Sequence, residues 1–294
     1  MKVLITGING FVGSILRQSL EKKGHQVFGV DIKSHDSNVF PVDITDQTAV
    51  NRCMLEISPD AIYHLAAISQ VDYSELSKLY NININGTINL LSASLSLSHL
   101  PRFLLVSSCQ VYGIVDEANQ PINEKNEVKP VNHYGASKAA AEYIAQVFHK
   151  IHGLPLAILR PFNHIGRGQD PHFVIAKIIE TIKEKKDTIE LGNLSVVREF
   201  NDVRDVVEIY IKLMEQFPNG MTLNIASGKG YRLHDIIKLI HDLTDITLKI
   251  KNTETLIRKN EITTLIGDST ALKNLYNWQP AYSIKETLQW ILTE

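Results

Sequence analysis

Cysteine is almost missing from this chain. Only Cys53 and Cys109 occur in 294 residues, far apart in sequence, which rules out a disulfide framework and fits reduced thiols in a reducing compartment. Long hydrophobic runs are missing too. The apolar stretch after Met1 is broken by Gly7, Gly10 and Gly13, and no segment reaches the length of a membrane span or signal-peptide core, so a cytoplasmic chain with no membrane partner is expected. Nor is charge of one sign in excess: 30 basic and 32 acidic residues are interleaved, leaving a formal net charge of -2 and no broad field for nucleic acid or anionic lipid. Metal-ligand spacing is also lacking. None of the 11 histidines lies in a His-Glu-x-x-His or cysteine-histidine pattern, and His149 with His152 reads as an exposed helix end, so no metal is expected.

What remains is an ordinary globular composition, 44% hydrophobic and 21% charged, able to bury one large core or two smaller ones. Residues 2–6 form a short apolar run that stops at Gly7, and helical spacing of apolar residues begins at Phe11. This order is strand, glycine loop, helix. Gly7, Gly10 and Gly13 let the backbone turn sharply and approach a pyrophosphate, whose charge meets the amides at the helix start, so Gly7, Gly10, Phe11, Val12 and Gly13 are candidate cofactor contacts. The spacing differs from Gly-x-Gly-x-x-Gly. A second strand from Gln26 ends in Asp31, about twenty residues past the glycines, where a carboxylate can accept from adenosine ribose hydroxyls. Asp43-Ile44 closes another short extended piece, and a strand from Ala61 runs into Leu65, Ala66 and Ala67, small enough at the last two positions for a cofactor to lie close.

Strands alternating with helices at this pace predict an α/β fold, a doubly wound parallel sheet of Rossmann type with right-handed crossovers. Residues 74–99 alternate in part like a strand, at Asn81 to Asn85 and Ser92 to Ser98, but their length predicts one helix. The strand Arg102 to Val106 delivers Ser107, Ser108, Cys109 and Gln110 to the carboxyl edge of the sheet, where ligands bind. A polar segment, 114–130, follows it. Next comes a helix on which Tyr134 and Lys138 stand four residues apart on one face, a proton donor beside a cation that favours the phenolate. The domain boundary is expected after residue 161: a dinucleotide-binding domain over 1–161, rejoined by a strand near 221–226, and a smaller mixed α/β substrate domain over 162–294.

Taken together, the glycine triplet, Asp31, Asp43-Ile44, His64-Leu65-Ala66-Ala67, Ser107-Ser108 before Val111-Tyr112-Gly113, and Tyr134 with Lys138 resemble the extended short-chain dehydrogenases/reductases that act on nucleotide sugars. The second half narrows this resemblance: Arg160 to Gln169, Leu191 to Leu194, Arg198-Glu199-Phe200 and Asp202 to Asp205 are similar to the GDP-4-keto-6-deoxymannose reductases, which make GDP-D-rhamnose. Ile165 and Arg167 depart from that pattern, standing where relatives usually carry threonine and proline, and Arg258-Lys259-Asn260-Glu261 replaces an Arg-Pro-x-Glu segment.

The resemblance implies a nicotinamide reductase in which Ser108, Tyr134 and Lys138 are catalytic, the last two also touching the cofactor. It further implies that Ser108, Asn163, Leu191, Asn193, Arg198, Arg258 and Glu261 hold a GDP-sugar, the two arginines clamping its pyrophosphate and Glu261 a ribose. A homodimer through a four-helix contact is implied as well, with Ala139, Ala140, Tyr143, Val147 and the stretch Leu90 to Leu97 as apolar surface. Asp31 favours NAD(H), since a 2′-phosphate would meet a like charge; Lys33 pulls toward NADP(H). Two alternatives stay open: an epimerase or dehydratase with tightly bound NAD, and a dinucleotide-binding regulator without chemistry. Cys109 and Gln110 stand where dehydratases of this family place a carboxylate, which leaves Glu124 as the only acid nearby for dehydration.

Overall fold

The apolar run at residues 2–6 forms β1 (Lys2–Thr6), buried from Val3 onward. The computed structural model describes residues 1–34, 36–257 and 260–293. They fall into two compact units, the first made of Met1–Gly113, Glu127–Pro161 and Val207–Leu223, the second of Ile114–Asn126, Phe162–Val206 and the chain from Asn224 onward.

In the first unit the chain runs from β1 through α1 (Phe11–Lys22), β2 (Gln26–Asp31), β3 (Val39–Pro41), α2 (Gln47–Ile57) and β4 (Ala61–His64). It continues through α3 (Leu76–Tyr80), α4 (Gly86–Leu95), β5 (Arg102–Val106), α5 (His133–His152) and β6 (Leu156–Pro161). The sheet has seven strands in the order Thr222–Ile225, β6, β5, β4, β1, β2, β3, and β1 through β6 pair in parallel. The strand order reverses between β1 and β4, so the crevice for a ligand opens at the carboxyl ends of those two strands. Leu4, Ile62, Phe103 and Ile158 from the strands meet Met54, Leu90 and Leu91 from the helices in a continuous core.

Local chemistry sets the helix ends. Asp46 caps α2 by accepting from the amides of Thr48 and Ala49, and Asn132 caps α5 by accepting from that of Gly135. Gly153, at φ 70°, ends α5 in the left-handed conformation that glycine adopts without strain.

The structure changes two expectations. Residues 74–99 are helical, but not as one regular helix: Asn81–Asn85, the stretch with strand-like alternation, is a π-turn between α3 and α4. Leu90 and Leu91, expected on an exposed surface, are 1% and 0% exposed, because α4 packs between α2 and α5.

In the second unit, helices Val174–Lys183, Leu233–Thr244 and Ile284–Leu292 enclose a core that includes Ile175, Ile179, Ile236 and Leu288. Its strands are short: Thr188–Leu191 pairs with Lys249–Asn252, and Val197–Arg198 lies between Tyr231–Arg232 and Thr264–Leu265. The Arg204 guanidinium pairs with Asp202 at 2.6 Å and stacks on the rings of Tyr282 (3.7 Å) and Trp290 (4.0 Å). Arg167, in place of the usual proline, lies 5.0 Å from the Trp290 ring and donates to the Trp290 carbonyl and Thr293, which ties the last helix down.

Candidate active site

The glycine loop is closed more tightly than its sequence requires. A Cβ on Gly13 would lie 2.2 Å from the Gly7 carbonyl oxygen, and one on Gly7, whose φ is +71°, would lie 3.0 Å from the backbone of Ala66. The loop after β1 therefore rests on the Leu65–Ala67 turn after β4, and α1 starts there with no side-chain cap over its amides. This bare, glycine-walled helix start fits the pyrophosphate of a nicotinamide dinucleotide.

Asp31 ends β2 beside the loop. Its carboxylate accepts from the amides of Asn9 (3.0 Å) and Ile32 (2.8 Å), while the Asn9 side chain holds the Lys33 carbonyl. Asp43 is engaged locally, accepting from the amide and hydroxyl of Thr45, and Ile44 is buried with its carbonyl held by Asn89. These last two residues shape the rim through packing and turn formation.

Ser108, Tyr134 and Lys138 come together in the first unit, all nearly buried. Ser108 caps the short 3-10 turn Cys109–Tyr112 by accepting from the amide of Gln110, and its hydroxyl is hydrogen-bonded to Tyr134. Burial pushes the Tyr134 phenol up to about 12, against the pull of Ser108. The expected lowering by Lys138 is not what the structure shows: the ammonium donates to the Val106 carbonyl at 2.8 Å, and desolvation dominates at the phenol.

Supporting residues that sequence reading passed over hold this group in place. Asn83, within the π-turn, accepts from the Ile68 amide, donates to the Ile68 carbonyl and donates to Ser137, one residue before Lys138. A second chain runs through His64. Thr87 donates to the Asn83 carbonyl and so accepts from His64 Nε2; Nδ1 then accepts from Thr6, whose oxygen takes the Ala66 amide. The imidazole is thus neutral with its proton on Nε2, and burial pushes it down to about 3. Side-chain spacing alone could not have signalled either chain, because each joins residues from distant segments.

In the second unit Asn193 donates to Glu261 at 2.8 Å, which brings two of the expected substrate residues together. Arg198 donates to the backbone carbonyls of Val197, Ile262 and Thr263, and Leu191 is a core residue. Asn163 is half-buried and accepts from Asn201 through its own carbonyl. Arg258 lies outside the described residues. Among the described residues no group of three or more His, Cys, Asp or Glu side chains is placed to hold a metal, and no helix is long and apolar enough to cross a membrane.

The dry cation has a consequence for stability. Burial pushes Lys138 down from 10.5 to about 8, with Glu142 opposing. Because the folded value lies below the unfolded one, the charged form is penalised in full below pH 8, and the penalty fades as pH rises toward 10.5. At about 1.4 kcal/mol per pKa unit, the penalty is about 3 kcal/mol at neutral pH. Lys138→Met removes it, so the stability of this variant relative to the parent should fall by about 2 kcal/mol between pH 7 and 10, read by urea denaturation of cofactor-free protein.

Comparison with known proteins agrees with this geometry. The family described as GDP-mannose 4,6 dehydratase matches residues 4–291. GDP-6-deoxy-D-talose 4-dehydrogenase of Aggregatibacter actinomycetemcomitans is 34% identical over 94% of this chain and 91% of its own length. GDP-6-deoxy-D-mannose reductase of Pseudomonas aeruginosa is 32% identical, covering 100% of this chain and 96% of its own. The structure of RMD from Pseudomonas aeruginosa complexed with NADPH superposes with a TM-score of 0.87 at 31% identity, covering 99% of this chain and 96% of that one. The chain belongs to the GDP-mannose 4,6 dehydratase family, enzymes of extended short-chain dehydrogenase/reductase fold.

Proposed function

We propose that this chain is a reductase acting at carbon 4 of a GDP-4-keto-6-deoxyhexose, giving GDP-D-rhamnose or a related GDP-6-deoxyhexose. The observation that carries the reading is the protonation state of Tyr134. Reduction of a ketone needs a proton donor at the carbonyl oxygen, and a phenol pushed up to about 12 stays in the donating form at neutral pH. An epimerase must begin by removing a proton from a sugar hydroxyl, which calls for the opposite form.

The bound nicotinamide would supply the hydride. Ser108 and Tyr134, joined by a hydrogen bond, point two hydroxyls at one place, where a keto oxygen can accept from both. As carbon 4 gains hydride, its oxygen takes the phenol proton, and the Lys138 ammonium offsets the charge left on Tyr134. We assign the cofactor to the first unit and the nucleotide sugar to the second, where Asn163, Leu191, Asn193, Arg198, Arg258 and Glu261 are its candidate contacts.

Dehydration finds no free acid nearby. The Gln110 side chain accepts from the capping residue Asn132 at 3.0 Å, and Glu124, the remaining carboxylate, accepts from the Asn224 amide at 2.8 Å. A binding-only regulator would have no use for a phenol, a hydroxyl and an ammonium gathered away from water. The relatives above also bear on the product: one is named for 6-deoxy-D-talose and another for 6-deoxy-D-mannose, sugars that differ in configuration at carbon 4.

NADH is the proposed preference. The fixed Asp31 carboxylate can accept from ribose hydroxyls, whereas a 2′-phosphate at roughly 4 Å meets a repulsion of at most about 4 kcal/mol, reduced by solvent at the rim and partly offset by Lys33. Along α5, Tyr143, Val147 and Ile151 are 57%, 51% and 70% exposed at successive helical turns, an apolar row suited to a two-fold partner.

Incubation with GDP-4-keto-6-deoxymannose and NADH or NADPH should give a reduced GDP-6-deoxyhexose, identified by its proton couplings. Conversion of a GDP-hexose without added nicotinamide would point to an epimerase. Tyr134→Phe should lower kcat by about 10²–10⁴-fold while sugar binding stays within a few-fold. NADH should be favoured by about tenfold in kcat/KM, some 1.4 kcal/mol, and Asp31→Ala should shift the ratio toward NADPH. Sedimentation velocity at micromolar concentration should show a dimer, and a monomer would contradict it.

A further inference from the structure

Tyr134, Lys138 and Glu142 occupy successive turns on one face of α5. Glu142 is 2% exposed, and three elements converge on its carboxylate. Arg160 from β6 donates through Nε at 3.0 and 3.2 Å and through Nη2 at 2.6 Å; Ser107, at the end of β5, donates through its hydroxyl. Through Nη1 Arg160 also reaches the Tyr112 hydroxyl at 3.0 Å, its guanidinium 4.8 Å over that ring. Tyr112 closes the turn that Ser108 caps, and Ser107 precedes Ser108. Each segment that bears a catalytic candidate is therefore joined to this one carboxylate.

An ion pair so buried is a poor way to gain stability, since apolar side chains of similar volume generally do as well. Its position gives it another use. We propose that Glu142 is a positioning residue for Lys138, its carboxylate oriented by Arg160 and Ser107 so that the ammonium stays charged and in line with Tyr134. The inference rests on the reductase reading and deepens it.

The surroundings leave Glu142 as the counter-charge to the ammonium. On α5 itself the ionisable neighbours are Tyr134 and Glu142, and the latter works against the effect of burial on Lys138. From β4 comes His64, neutral because burial pushes it down to about 3. The turn after β5 contributes Cys109 and Tyr112, and the helix Val203–Glu215 contributes Tyr210, whose hydroxyl burial pushes up and so keeps neutral. Arg160, the other cation, is turned onto Glu142.

The test follows the proton on Lys138 in two ways. In Glu142→Gln, the alkaline limb of kcat/KM should move to lower pH by about one unit. Heteronuclear NMR of 13Cε-labelled lysine in the cofactor-free protein, with the Lys138 signal assigned by its loss in Lys138→Met, should show the same shift. That titration needs neither substrate nor turnover, so it stands even if the sugar assignment fails. Arg160→Met, which leaves the carboxylate, should not move either readout downward. The double variant Glu142→Gln/Arg160→Met orphans no charge and protects against misfolding of the single variants; it should shift downward by less. A titration that stays put or moves upward in the folded Glu142 variants would make the carboxylate purely structural and overturn the proposal.

Discussion

Lys138 brings a positive charge to a place that water scarcely reaches, and the elements around it are arranged to keep it there. An ammonium in a low-dielectric site needs acceptors and must be spared like charges. The end of β5 provides the Val106 carbonyl, and α5 provides Glu142 one turn further on. Across the sheet, Thr6 and Thr87 hold His64 in its neutral form, so the nearest imidazole adds no second cation. Three strands and their following turns are thus constrained by one side chain, and the penalty is carried by the stability of the fold.

Much of this plan could be read from the residues. The strand and helix alternation, the glycine loop and the Tyr134–Lys138 pair follow from local spacing, which is set by backbone geometry and needs no knowledge of distant contacts. The π-turn was hidden for the opposite reason. Asn81 to Asn85 alternates polar and apolar residues because Asn83 turns inward to Ile68 and Ser137, and only the folded chain brings those partners within reach. Leu90 and Leu91 were misplaced because an apolar helix face does not reveal whether it meets the sheet or solvent. The state of Tyr134 also escaped, since spacing suggests a lysine that favours the phenolate, whereas burial depends on everything packed around it. Glu142 left a signal that could have been used: it continues the four-residue rhythm of Tyr134 and Lys138.

The second unit solves a different problem. It is held by small strands and by an alternation of guanidinium and ring planes, Arg204 on Tyr282 and Trp290 and Arg167 beside Trp290. Stacking of this kind fixes a terminal helix with little apolar area. Arg167 shows how a change from the usual proline can be absorbed, since the guanidinium finds acceptors that a proline ring could not use.

The π-turn also places a constraint on chain length. A helix that accommodates a surplus residue at Asn81–Asn85 has its two ends out of ordinary α phase. Losing one residue there would restore the regular pitch and rotate everything beyond it by about 100°. Gly86 would swing away from Ile44, which now leaves no room for a side chain on it, and Leu90 and Leu91 would leave the core. Loops elsewhere in the chain can lengthen or shorten over evolutionary time without such consequences, but between Leu76 and Leu95 the number of residues is itself inherited, because a single deletion would strike the cofactor rim and the hydrophobic centre together.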